Sequence, residues 1–313
     1  MAIDISRGTE GLSTLLPPAV SREIWADMQR ESIVQRLARR VQMPGTGLSV
    51  PIVLSDPEPA WVDETEEKPV SRSTFDVKSL KPYTLAVIQP FSKQFLRDLP
   101  GLYAACRSRL PGALARKFDR TALGFEPVPG TGFESLADAA EISLEPDAYT
   151  GLLEALVAVT GSADGADITG WAVSPLGEIM LLGSRDNDGH PLFTMSPAAD
   201  GSIGQLVGRP AYKTGHVAGP DDDIVGVAGD WSSAIWGFVE GISIDISTEA
   251  TLTDVDGSTL NLFQRNMIAV RAECEVGFGF RDTARFVRLT HSGTIPAAPA
   301  KKAPAKKAAG EGP

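Results

Sequence analysis

Seven apolar residues at every second position, Ile268, Val270, Ala272, Cys274, Val276, Phe278 and Phe280, are the strongest constraint in this 313-residue chain. Successive side chains of an extended backbone point to opposite faces, so the spacing predicts one long strand with a buried side. Arg271, Glu273, Glu275 and Arg281 take the other parity and give that strand a charged side. Whatever else the chain does, it builds a sheet around this segment and covers one face of it.

Helical patterns supply the cover. "LPPAVSREIWADMQRESIVQRLARR" is entered through prolines and carries Ile24, Trp25, Met28, Val34, Leu37 and Val41 at roughly helical spacing. Arg36, Arg39 and Arg40 would complement the dipole in its last turn. In "PFSKQFLRDL", Ser92 is placed as an N-cap, with Phe91 and Leu96 as a hydrophobic staple. The helix then resumes through Leu102, Cys106, Leu110, Leu114 and Phe118, one stripe at every fourth residue, to end at Gly124. Pro111 and Gly112 should bend or interrupt it. Further on, Asp147 caps a helix in "DAYTGLLEALVAVTG". In "ITGWAVSPLGEIMLLG" a strand feeds a helix capped by Ser174, with Pro175 at its first position.

One segment serves no obvious core. "GLSVPIVL" reads as a short strand and "FDVKSLKPYTLAVIQP" as its return, a hairpin whose tip is "PAWVDETEEKPVSRSTFD". There Trp61 stands between prolines among Asp63, Glu64, Glu66 and Glu67. An aromatic in such a setting either folds back on its own domain or anchors in another molecule.

Composition narrows the function classes. The chain is 42% hydrophobic and 22% charged, ordinary for a globular protein, and its formal net charge of −11 withholds general phosphate affinity. The first twenty residues lack the basic head and apolar run of a secretory signal, and "LLEALVAV" is too short to span a bilayer, so no membrane partner is expected. Cys106 and Cys274 form no CxxC and read as buried core residues in a reducing cytoplasm. No GxxxxGK[ST], HExxH, GxSxG or strand-linked GxGxxG occurs, so no catalytic residue, metal or cofactor is assigned. His190, His216 and His291 lie in turn sequences; His216 beside "DDD" at 221–223 reads as a solvated turn ahead of a cation site. "RDNDGH" and "TDVDGST" lack the carboxylates a calcium loop needs at its first and last ligand positions, and read as Asp-Gly turns. The last residues, "IPAAPAKKAPAKKAAGEGP", read as a disordered tail (296–313) whose lysines either solubilise or touch anionic partners.

The order of these parts resembles the major capsid proteins of tailed bacteriophages, the Hong Kong 97-type shell fold. The parts are a helix, an acidic hairpin, a long helix, the "WAVSP" strand into helix, a "GRPAY" turn and a final alternating strand ending "FGFRDTARFVRLT". The resemblance covers about Leu15 to Thr290 and implies an α+β wedge that tiles an icosahedral shell, a virion structural protein and not an enzyme. It places an N-terminal arm at 1–19, an extended loop at 45–80 and a spine helix at 92–124. It assigns 20–44, 81–125 and 241–280 to a peripheral domain, and 126–240 with 281–295 to an axial domain. The expected partners are further copies in hexamers and pentamers, a portal, separate scaffolding or decoration proteins, and enclosed double-stranded DNA, with assembly in the host cytoplasm. Family members often carry a cleaved leading segment; here the arm starts near Met1, so scaffolding is expected from outside. Trp61, Asp63, Glu64, Glu66 and Glu67 become the expected inter-subunit contacts, their ordering cost recovered on assembly.

The resemblance also suggests a covalent link. In the fold's namesake an arm lysine joins an asparagine of a neighbouring subunit, with a glutamate seven residues beyond acting as base; Lys68, Asn266 and Glu273 match that pattern here. Ordinary strand sequence with a charged outer face accounts for the same residues. Two other readings stand beside the phage shell: an encapsulin-type nanocompartment enclosing cargo enzymes, and a soluble enzyme with an unrecognised site.

Overall fold

A computed structural model of the chain describes residues 18–53, 61–62, 68, 70, 75–94, 99–162, 165–184, 193, 202–217, 223–253 and 256–291. The alternating segment is strand β14 (Met267–Phe280), following α1 (Pro18–Glu31), α2 (Ile33–Leu37), β1 (Arg39–Gln42), the hairpin β2 (Leu48–Val53) and β3 (Phe75–Leu80), β4 (Tyr83–Ser92) and α3 (Leu99–Ala122). Between α3 and β14 lie β5 (Ala140–Ser143), α4 (Ala148–Ser162), β6 (Gly170–Val173), α5 (Pro175–Gly183), β7 (Ser202–Leu206), β8 (Arg209–Lys213) and β9 (Ile224–Gly229). They are followed by β10 (Ala234–Phe238), β11 (Ser243–Ser247), β12 (Thr251–Thr253) and β13 (Thr259–Asn261), and after β14 comes β15 (Phe286–Thr290).

β14 organises the first sheet. β4 pairs antiparallel along one edge from Met267↔Ser92 to Val276↔Tyr83. The other edge is shared by β11, from Ser247↔Ala269 to Ser243↔Glu273, and β10, from Phe238↔Val276 to Ala234↔Phe280, with β1 parallel to β10 beyond. All seven alternating residues are buried, and α1 and α3 cover them. Phe118 of α3 meets Phe278 edge-on at 6.5 Å, and Trp25 of α1 lies 6.3 Å from Trp236. At Gly237 a side chain would run into the thioether of Met43, which packs in the space the glycine leaves. A second sheet, ordered β5-β15-β9-β6-β8-β7, carries α4 and α5 over a separate apolar cluster around Trp171, Leu152, Val225 and Leu289.

Several local expectations hold. Asp147 accepts hydrogen bonds from the amides of Tyr149 and Thr150 at the start of α4, and Ser174 accepts from Gly177 N (3.0 Å) at the start of α5. Others are corrected. The first helical segment is two helices, because the Ser32 hydroxyl accepts from Gln35 N and starts α2 afresh. Arg39, Arg40 and Val41 belong to β1, not to a last helical turn. Ser92 is the final residue of β4, paired with Met267, and its hydroxyl also accepts from Gln94 N (3.4 Å) at the start of a 3-10 turn over 93–94; residues 95–98 lie outside the described residues, and the α-helix is described from Leu99. That helix runs without a break through Pro111 and Gly112. A proline there costs about 3 kcal/mol, while burying Leu110, Leu114 and Phe118 returns roughly 1.5–3 kcal/mol each. The side chain of Leu102, residue Leu96 and the tail 296–313 lie outside the described residues.

Candidate inter-subunit surface

The β2–β3 hairpin is firmly rooted. At its base Lys78 Nζ lies 2.8 Å from Glu134 Oε1 and donates to Phe280 O at 2.7 Å, its charge 5.2 Å from the Phe280 ring. Glu134 Oε2 in turn accepts from Phe280 N, Lys81 N donates to Gly132 O, and the Tyr83 hydroxyl donates to Thr131 O. The turn at 130–134 thus clamps the root of the hairpin to the end of β14. From there the pairing runs from Leu48↔Leu80 to Val53↔Phe75, and no third strand joins it among the described residues. Pro51 sits in β2 opposite Val77, a position open to proline where a strand has a free edge.

Beyond this ladder Trp61 is 104% exposed and Val70 85% exposed. A bare indole leaves its largest hydrophobic contribution unrealised in the single chain. Lys68 is exposed too, while Asp63, Glu64, Glu66 and Glu67 lie outside the described residues. At the opposite end of β14, Phe263 is likewise bare.

A cleft of about 350 Å³ opens beside the hairpin root, between β3, β10 and the end of β14. Leu80, Ile235 and Phe280 give it an apolar floor; Arg39, Lys78, Arg281 and Arg285 bring four cations against the carboxylates of Glu134 and Asp230. Asp230 is committed to Arg285 at 2.8 Å, both side chains 7% exposed, and Glu134 to Lys78. Arg39 meets no carboxylate among the described residues.

Lys68, Asn266 and Glu273 are not brought together within one chain. Asn266 ends the turn before β14, with φ +49°, and accepts from Lys93 N. Glu273 stands seven residues along the strand, about 23 Å away at strand rise, beside Arg271 at 3.5 Å. Glu273 shares a second cleft with Glu240 and Glu275, where β10 and β11 part along β14.

One constellation escaped the sequence reading. Asp119 of α3, 0% exposed, accepts at Oδ1 from Ser32 Oγ (2.5 Å) and Val34 N (3.3 Å) and at Oδ2 from Ile33 N (2.9 Å), and Oδ2 also meets His216 Nδ1 at 2.6 Å. Serine, aspartate and histidine are the residue types of a hydrolase triad, but their order is wrong. The carboxylate sits between the other two, so the histidine has no serine to deprotonate, and Ser32 is itself buried. Asp119 instead caps α2 and ties the turn after β8 to α3. His216 is accordingly no solvated turn residue; 87 to 97 residues separate the partners, and no local signal announces them. His190 lies outside the described residues, and His291 sets Nδ1 3.0 Å from Glu145 Oε1 without hydrogen-bond alignment.

Cys106 and Cys274 are free and buried, and burial raises both thiols, Cys274 to about 12. Among the described residues no cluster of metal ligands occurs and no helix is long and apolar enough to cross a membrane. Gly257, with φ +82°, and Asp256, which accepts from Ser258 N, make the Asp-Gly turn expected between β12 and β13.

The chain is similar to known proteins. The model of the phage capsid family matches residues 13–291. A probable major capsid protein of Mycobacterium phage D29 is 30% identical over 288 residues, 88% of this chain and 90% of that one. Its counterpart in Mycobacterium phage L5 is 29% identical, with 88% and 89% covered. Among solved structures, one from Gordonia phage Cozz superposes with a TM-score of 0.67 at 25% identity, covering 84% of this chain and 87% of its own. On the match of the family model over residues 13–291 and the 30% identical relative, the chain belongs to the phage capsid family.

Proposed function

We propose that the β2–β3 hairpin is the lattice arm of a capsid subunit, reaching across a neighbouring copy and burying Trp61 there. The chain is a shell-forming major capsid protein of a tailed phage. The observation that carries the arm reading is the bare Trp61 on a hairpin whose root is clamped by Lys78, Glu134 and Phe280. A fixed root with an unpartnered anchor is what an interface element looks like before its partner arrives. Residues 45–80 then form the extended loop and α3 the spine helix, with hexamers and pentamers of the chain enclosing double-stranded DNA. The net charge of −11 suits that role, because a lining that gripped phosphate would oppose packaging and release. Portal and separate scaffolding or decoration proteins complete the assembly in the host cytoplasm. The encapsulin-type alternative is not favoured, since the relatives are phage capsid proteins.

The test is assembly itself. Wild-type chain expressed with its neighbouring phage genes should give closed shells by electron microscopy. Trp61→Ala should lower their yield at least about tenfold, as loss of a central aromatic anchor does, while the thermal midpoint of the unassembled chain stays put. Shells at wild-type yield from Trp61→Ala would overturn the arm reading. Boiling mature shells in detergent tests the Lys68–Asn266–Glu273 link separately: a single monomer band rules it out.

A further inference from the structure

The outer face of the first sheet is covered at both ends of β14 and open between them. Lys81 and Met43 fill the space outside Gly277 at the hairpin root, and Ala269 packs with Leu260 and Leu262 of the β12–β13 end. In the middle, alternation turns Arg271, Glu273 and Glu275 outward, flanked by Thr84 and Ala86 on β4 and by Asp245 on β11. Thr84 and Ala86 are short, so a chain laid across them meets little obstruction. Arg271 is already shared, 2.8 Å from Asp245 and 3.5 Å from Glu273. Glu240 and Glu275 meet no cation among the described residues. With Glu273 they line the cleft of about 460 Å³ where β10 leaves β14 at Val276 and β11 joins it at Glu273. Carboxylates gathered in this way repel one another, and cations laid among them relieve that repulsion.

Suitable cations stand at the end of the same chain. Past His291 the sequence runs to Pro313 with Lys301, Lys302, Lys306 and Lys307 against the one carboxylate side chain of Glu311, and Ala, Pro and Gly fill most other positions. The two lysine pairs are five residues apart, about 16 Å in the extended form that proline favours. Glu275 lies four residues along β14 from Arg271, the partner of Asp245, so the carboxylates spread over about 13 Å. Reach is sufficient. The way back from Thr290 along β15, across the Phe280–Phe286 contact and along β14 to Glu275 is about 36 Å by strand rise, while the chain from His291 to Lys306 spans up to about 50 Å. We infer that the Lys-Ala-Pro tail lies on this open sheet face of its own chain, its lysine pairs against Glu240, Glu273 and Glu275. Connectivity favours the same chain, because a tethered segment meets its site at roughly millimolar effective concentration. The inference needs neither the arm nor the shell. Its consequence for a capsid lining is that lysines engaged by carboxylates of their own chain are withheld from phosphate.

Carbodiimide joins an amine to a carboxylate only where the two touch, so treating the full-length, unassembled chain at low salt and reading the linked peptides by mass spectrometry tests the contact. Links from the four tail lysines to Glu240, Glu273 or Glu275 should outnumber links to the exposed Glu31 and Glu154 at least about tenfold. Salt at about 1 M should abolish that excess. Mixing isotope-labelled with unlabelled chains separates the sources: the excess is expected within one isotope, and links that join the two isotopes, or no excess at all, overturn the inference. Glu240→Lys with Glu275→Lys, both at exposed positions, should remove the excess. Lys→Glu at 301, 302, 306 and 307 in the same chain should restore it with amine and acid exchanged, and failure of that restoration also overturns the inference. Trp61→Ala should leave the links unchanged, so the arm reading and this one fail separately.

Discussion

β14 and the β2–β3 hairpin are built from similar residues to opposite ends. β14 has strands on both edges along most of its length and two helices over its apolar face. The hairpin has one ladder of six residue pairs, no third strand among the described residues, and Trp61 in water. An isolated two-stranded ribbon is marginal in water, so the hairpin owes its direction to its clamped root rather than to its own pairing. The difference separates what the single chain completes from what it leaves for another copy.

The comparison breaks first if the core is not the self-sufficient half. Phe278→Ala should cost about 3–5 kcal/mol in denaturant unfolding, the usual loss for a buried aromatic. Asp230→Ala should cost about 3–5 kcal/mol, because it removes the carboxylate from beside the buried Arg285 charge. Cys274 sharpens the same point through pH. Its thiol is held neutral to about 12 by burial, against 9.0 when free. Between those values the unfolded chain has lost the proton and the folded chain keeps it, so stability falls as pH rises. The slope approaches about 1.4 kcal/mol per unit, and Cys274→Ala should flatten that slope in unfolding measured from pH 8 to 10.5. The smallest effect belongs to the hairpin: Trp61→Ala should move the stability of the unassembled chain by no more than about 0.5 kcal/mol, while its effect on shells is large. A substantial loss of monomer stability would mean that the indole packs on its own chain after all.

The sequence reading succeeded where the signal is local. The period-two run of β14, the Asp147 cap and the Ser174–Pro175 start need only neighbouring residues to be recognised, and the structure carries all three. It failed where a distant partner decides. Arg39 and Arg40 continue a helical rhythm, yet β10 draws them into a parallel strand with an outer face too charged to alternate. Ser32 breaks the first helix because Asp119, far along the chain, is waiting for its hydroxyl. Trp61, legible as an aromatic without a home, is bare in the structure; the cleft is not legible, since Arg39, Ile235, Phe280 and Arg281 become neighbours only when β1, β10 and β14 align.

Pro51 has a consequence for crowds rather than for single molecules. A bare strand edge invites any other bare edge to zip onto it, and a shell concentrates such edges where they meet constantly. A ring nitrogen that cannot donate spoils one rung of every such ladder. Copies are left to recognise each other through side chains, which can saturate and close a surface, instead of through backbone, which would knit them into fibres without end.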